Sequence, residues 1–263
     1  MHLNLNGRSV FAATGGPEFD PSLPTLLFVH GAGFDRTTWQ LQTRYFAHHG
    51  YGVLAVDLPG HGRSDGPALD SVTALADWLV EFLSSASVEK ASLAGHSMGA
   101  LACLSAAARH PSRVANLAML GVAETMPVHP ELLAAAEAND QHAIDLIIGW
   151  SFGAVSHRGG HRSPGTWMVG AGIRQQQRSA ADVLYNDLKA CDGFAGAVSL
   201  ASQVACPALY LLGDGDKMTP TKAAQPLIDA TADATVVILS ATGHMMPTER
   251  PIRVREILAE FLS

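Results

Sequence analysis

The segment Gly95-His96-Ser97-Met98-Gly99 follows a short apolar run at residues 91–94 and leads into an alanine-rich stretch at 100–109 that reads as a helix. A serine placed there, with a glycine two residues to either side, sits on a strand-to-helix turn too sharp for side chains at the glycine positions. Such a turn lifts the Ser97 hydroxyl above the sheet edge and aims the backbone N–H of Met98 at the same space. The chemistry implied is nucleophilic attack on a carbonyl, with half of an oxyanion hole built into the turn. Because Gly-x-Ser-x-Gly also arises by accident in a chain with 25 glycines, the reading depends on a base, an acid and a second oxyanion donor elsewhere.

His30-Gly31-Ala32-Gly33 supplies the second donor. It falls directly after the apolar strand Thr25–Val29, at the carboxyl edge where ligands bind in sheets of this type. Its glycines let the backbone come close, and the N–H of Ala32 is the expected partner of the Met98 N–H. His30 belongs to the loop that shapes this hole and is expected to hydrogen-bond backbone. His61, in the Pro/Gly turn Asp57-Leu58-Pro59-Gly60-His61-Gly62-Arg63-Ser64, reads as loop scaffolding.

The base is expected late in the chain. His244, in Thr242-Gly243-His244-Met245-Met246-Pro247, stands just beyond an apolar run at 236–239 and before the last helical pattern. The acid is Asp216 of Gly213-Asp214-Gly215-Asp216, which follows the strand-like run at 208–212. Asp214, suited to turn formation through its own side chain, and Glu124, which follows the strand Val114–Leu120, are the competing carboxylates. In the resulting triad Ser97 attacks, His244 accepts and returns the proton, and Asp216 fixes the imidazole tautomer. This chemistry requires no metal and no organic cofactor.

The elements that must position these residues alternate. Short apolar runs at Thr25–Val29, Gly52–Val56, 91–94, Val114–Leu120, 208–212 and 236–239 are separated by helical spacing at 39–49 and 72–84, and residues 251–262 close the chain as a helix. That order predicts an α/β fold with a mostly parallel sheet and helices on both faces. Between about 123 and 204 the strand signal disappears. Stretches at 131–148 and 178–188 read as helices between Gly- and Pro-rich loops, hence as a helical insertion.

Composition sets the outer limits. The chain has 263 residues, 48% hydrophobic and 16% charged, with net charge −7. It can bury one large core, and it carries no basic stripe of the kind that binds nucleic acid. No apolar run reaches the roughly 18 residues of a membrane span, and the amino terminus has no secretory pattern, so a cytoplasmic location without membrane attachment is expected. Cys103, Cys191 and Cys206 are too scattered for a redox or zinc motif and are expected to be reduced. His157 and His161 lack the further ligands that a metal site needs, and none is expected. The expected partner is a small-molecule substrate, with assembly into a homodimer left open.

With His-Gly-Ala-Gly at 30–33, Asp-Leu-Pro-Gly-His-Gly-Arg-Ser at 57–64, Gly-His-Ser-Met-Gly at 95–99, Gly-Asp-Gly-Asp at 213–216 and Gly-His at 243–244, the chain resembles the α/β-hydrolase superfamily. The resemblance implies an eight-stranded core sheet formed by residues 1–123 and 203–263, with a helical lid at 124–202. It also implies a serine hydrolase rather than the haloalkane dehalogenases or epoxide hydrolases that carry aspartate at the elbow. Within it, a carboxylic-ester hydrolase for small or medium apolar substrates is favoured, because Trp150, Phe152, Trp167, Met168 and Phe194 can close an apolar pocket, with Met245 and Met246 beside the base. Lactonases, perhydrolases and carbon–carbon bond hydrolases carry the same triad, the last needing a lid cation such as Arg158, Arg162 or Arg174. A small-molecule receptor on the same fold is the alternative outside enzymology.

Overall fold

In the computed structural model, which describes residues 1–159 and 165–263, eight strands form one sheet in the order β1-β2-β4-β3-β5-β6-β7-β8. They are β1 (His2–Leu5), β2 (Arg8–Ala13), β3 (Thr25–Val29), β4 (Gly52–Val56), β5 (Ala91–His96), β6 (Val114–Leu120), β7 (Ala208–Gly213) and β8 (Ala234–Leu239). From β4 to β8 every pairing is parallel, and β2 joins β4 antiparallel. The six strands expected from hydrophobic pattern are all present. The hairpin β1–β2 adds two, turning at Asn6-Gly7 with φ of 54° and 82°, the left-handed pair that a two-residue hairpin loop requires.

Alternation along the central strands divides their side chains between two cores. Leu27, Val29, Leu54, Val56, Leu93 and Leu117 face one side, while Leu26, Phe28, Val53, Ala55, Ala94 and Ala118 face the other. Both sets are buried, as parallel strands covered on both faces must be. Helices α1 (Gln40–Ala47), α2 (Val72–Ser85) and α3 (Met98–Arg109) follow β3, β4 and β5. Helices α2 and α3 pack together, and α1 packs against the last helix.

After β6 the chain leaves the sheet. Among the described residues it forms α4 (Pro130–Glu137), α5 (Gln141–Ser151), α6 (Ala154–His157), α7 (Met168–Gln176), α8 (Val183–Asp192) and α9 (Ala197–Ala201) before returning as β7. The single helix expected at 131–148 is two: Asn139 takes φ 53°, and the Asp140 carboxylate then caps α5 by accepting the His142 amide at 2.9 Å. The helix expected at 178–188 begins later, at Val183, because Asp182 adopts φ 66°. Helices α10 (Thr221–Ala230), α11 (Met246–Glu249) and α12 (Pro251–Phe261) complete the chain. None of the described helices is long and apolar enough to cross a membrane.

Candidate active site

Ser97 is the single residue between β5 and α3, and it takes φ 55°, ψ −120°, a region that L-residues enter only at a cost. The turn is as tight as the glycines suggest. A Cβ on Gly95 would lie 2.3 Å from the Gly99 carbonyl oxygen, and one on Gly99 would lie 2.5 Å from that of His30. The Ser97 amide donates to Leu120 O at 2.9 Å, which ties the turn to β6. Met98 provides the first amide of α3, a position with no acceptor inside its own helix.

The loop after β3 comes to the same place. A Cβ on Gly31 would stand 3.1 Å from the Ser97 Cβ, and the Ala32 amide donates to no protein acceptor among the described residues. His30 is fully buried. Its Nδ1–H donates to Gly31 O at 2.9 Å, and its Nε2 accepts the Leu58 amide at 3.1 Å, so it joins two loops as a neutral ring. Burial, then the nearby charge of His61, pushes its pKa down to about 4. His61 goes beyond the scaffolding role expected of it. Its Nδ1 lies 2.9 Å from Pro59 O and its Nε2 lies 2.8 Å from Asp187 Oδ2 of α8.

His244 follows β8 and is held from three sides. Its amide donates to Ser151 O at the end of α5 at 2.7 Å, its carbonyl accepts from His96 Nε2 at 2.9 Å, and its Nδ1 donates to Asp216 Oδ2 at 2.8 Å. Asp216 is fixed in turn by the Met218 and Thr219 amides on Oδ1, at 2.8 and 2.9 Å, and by the Thr219 hydroxyl on Oδ2 at 2.7 Å. Burial works to raise the Asp216 pKa, but the His244 ring and these donors outweigh it and hold the carboxyl below the usual range. The result is an imidazole whose Nε2 is buried and has no hydrogen-bond partner among the described residues. A ring so oriented can take a proton at Nε2.

The rival groups go elsewhere. Asp214 accepts the Thr242 amide at 3.2 Å and shapes the turn, and Glu124 is exposed with its backbone bonded to Ala223. His96, unremarked in the sequence, is buried beside His244 with ring centroids 4.8 Å apart. Burial and His244 push its pKa down to about 3, so it acts as a neutral donor.

Ser97, His244, Gly31 and Ala32 line one cavity of about 380 Å³, whose wall is completed by helices α4, α5 and α8. Of the large apolar residues expected there, only Trp150 lines it. Phe152, Met168, Met245 and Met246 are buried in the two cores, Phe194 packs half-buried against one of them, and Trp167 is 66% exposed. Met126, Leu132, Ile147 and Leu188 take their place in the wall. Arg158 and Arg174 are exposed and stand outside the cavity, as does His157, while His161 and Arg162 lie outside the described residues. Among the described residues, Lys217 is the lysine or arginine in the lining. Cys191 also lines the cavity, and burial, with Asp187 and Asp192, pushes its thiol up, away from reactivity. All three cysteines are free.

Comparison with known proteins agrees with this fold. A model of the alpha/beta hydrolase family matches residues 26–257. The chain is 26% identical over 243 residues to (E)-2-((N-methylformamido)methylene)succinate hydrolase of Acinetobacter baylyi, covering 90% of this chain and 89% of that protein. The crystal structure of the enol-lactonase from Burkholderia xenovorans LB400 superposes with a TM-score of 0.89 at 22% identity, over 100% of this chain and 99% of the other. A thermophilic esterase superposes with a TM-score of 0.82 at 26% identity, over 100% and 96%.

Proposed function

The chain belongs to the alpha/beta hydrolase family, and on that premise we propose that it is a serine hydrolase cleaving carboxylic esters of small or medium apolar substrates through Ser97, His244 and Asp216. The observation that carries the proposal is the Asp216–His244 pair at 2.8 Å, with Nε2 unpartnered among the described residues, beside a mainly apolar cavity that also receives Ser97 and the Ala32 loop. Its size suits a compact acyl group rather than a polymer.

The reaction runs in two halves. Ser97 Oγ adds to the ester carbonyl while His244 Nε2 accepts the hydroxyl proton, and Asp216 stabilises the imidazolium that forms. The amides of Ala32 and Met98 receive the carbonyl oxygen as it becomes an oxyanion. Collapse of the tetrahedral adduct expels the alcohol, which takes the proton from His244. Water activated by the same ring then releases the acid and regenerates Ser97.

A substrate that itself carries a carboxylate is the second reading. Lys217 in the cavity wall supports it, as does the succinate in the name of the Acinetobacter baylyi relative. No described arginine reaches the cavity to favour carbon–carbon bond hydrolysis. The test is a screen of p-nitrophenyl esters, lactones and vinylogous diketones against wild type and Ser97→Ala. Ester hydrolysis lost in the variant is the expected result; a wild type no faster than Ser97→Ala overturns the enzyme reading and leaves a ligand receptor on this fold.

A further inference from the structure

The Ala32–Gly33 peptide unit is held at both of its polar atoms by side chains from the helices inserted after β6. Its carbonyl, Ala32 O, accepts from Gln176 Nε2 of α7 at 3.1 Å. Its amide, Gly33 N–H, donates to Asp187 Oδ2 of α8 at 2.8 Å. Both side chains are buried, Gln176 at 2% and Asp187 at 1% exposure. Gly33 takes φ 67°, and a Cβ there would meet Gln176 Oε1 at 2.3 Å and Leu184 Cδ1 at 2.9 Å, so the inserted helices lie directly on this loop.

We propose that Asp187, assisted by Gln176, is a positioning residue for the oxyanion hole: it fixes the Ala32–Gly33 peptide and thereby the direction of the neighbouring Ala32 amide. The inference rests on the serine-hydrolase reading and adds to it a physical reason why the inserted helices matter to the chemical step. A peptide plane gripped at O and N–H cannot rotate. On the other side of Ala32, Gly31 is set against Ser97 and His96, since a Cβ there would have 3.1 Å to each. The amide between these two anchored units has its aim decided before substrate arrives, which is what electrostatic stabilisation of a developing oxyanion requires. Asp187 is anchored in turn, because Oδ2 also accepts from His61 Nε2 at 2.8 Å, and His61 is braced by Pro59 O at 2.9 Å. A loop from the sheet edge and a helix of the insertion thus converge on a single carboxylate oxygen.

The experiment compares Asp187→Ala, Asp187→Asn and Gln176→Leu with wild type. It measures steady-state hydrolysis of p-nitrophenyl acetate, affinity for a boronic acid that forms a tetrahedral adduct with Ser97, and backbone hydrogen exchange of residues 31–34 against 25–29. Misaiming one donor is expected to lower kcat of Asp187→Ala by about 10- to 100-fold, with KM within about threefold. Boronate affinity should fall in step with kcat. Exchange should rise in 31–34 and stay unchanged in 25–29. Asp187→Asn keeps an acceptor for the Gly33 amide and is expected to recover most of the loss. A merely structural role would shift thermal stability without separating kcat from KM.

Should Asp187→Ala fail to fold, Asp187→Asn and Gln176→Leu carry the comparison, with loss of kcat and faster exchange at 31–34 expected in Gln176→Leu. A Ser97-dependent wild type whose folded variants keep kcat and boronate affinity within about twofold overturns this inference alone, a ratio well short of a lost donor. A wild type no faster than Ser97→Ala overturns the hydrolase reading and this inference with it.

Discussion

His61 Nε2 donates to Asp187 Oδ2 at 2.8 Å with both side chains 1% exposed, and His61 Nδ1 faces a second acceptor, Pro59 O, at 2.9 Å. A neutral imidazole has one N–H, so satisfying both acceptors calls for the imidazolium. Burial by itself lowers the His61 pKa, but the charge and hydrogen bond of Asp187 outweigh it and the net displacement is upward. The ion pair therefore stabilises the fold fully below the unfolded histidine value of about 6.5, and that contribution disappears as pH rises through the higher folded value. In denaturant unfolding across about pH 6 to 9, wild type should exceed His61→Gln most at the acid end, the gap narrowing upward. A gap that does not change with pH would show that His61 is neutral in the fold.

Ser97 at φ 55°, ψ −120° makes stability and activity move in opposite directions. Ser97→Gly removes the Cβ that makes this conformation costly, and should raise unfolding free energy by about 1 kcal/mol. The same change should reduce ester hydrolysis by about 10⁴-fold or more, since it removes the proposed nucleophile. Calorimetry and rate measurements on one preparation test both, and a destabilised Ser97→Gly would contradict the strain argument.

Asp216, with Oδ2 2.8 Å from His244 Nδ1, should be far more sensitive than its competitors. Asp216→Asn leaves the shape intact but cannot stabilise the imidazolium or enforce its tautomer, and should lower kcat by about 10⁴-fold at neutral pH. Glu124→Gln, at an exposed residue apart from the cavity, should stay within about twofold of wild type, as expected for surface positions. Reversal of these two outcomes would transfer the acid to Glu124.

The elbow and the Asp216–His244 pair were legible because each requirement is local. A Cβ at Gly95 or Gly99 would meet a backbone oxygen at 2.3 or 2.5 Å, and Asp216 and His244 each follow a recognisable strand. The hairpin β1–β2 was equally marked by Asn6-Gly7, yet its strands are only four and six residues long, too short for their alternation to stand out beside the apolar runs. The support of the Ala32–Gly33 loop was not legible at all. Asp187 and Gln176 meet their partners across 154 and 144 residues, and nothing in their neighbourhoods distinguishes them from ordinary helix residues. The cavity wall failed for a related reason: side-chain size says that Trp150 and Trp167 are apolar, but only tertiary packing puts the first in the cavity and leaves the second 66% exposed.

Lys217 provides the sharpest discrimination among substrates. It occupies the loop between Asp216 and Thr219, it lines the cavity, and among the described residues its ammonium has no ion-pair partner. An unpaired cation beside an apolar pocket should attract a carboxylate at the distal end of an acyl chain while leaving a neutral chain of the same length unaffected. Lys217→Met should therefore lower kcat/KM for monomethyl succinate by about 10-fold relative to methyl butyrate, the order of one charge-assisted contact of 1.5–3 kcal/mol partly exposed to solvent. The effect should weaken at high salt, because the residue is exposed and screening acts on it. Equal changes for the two esters would assign Lys217 to the surface and leave a purely apolar acyl group as the substrate.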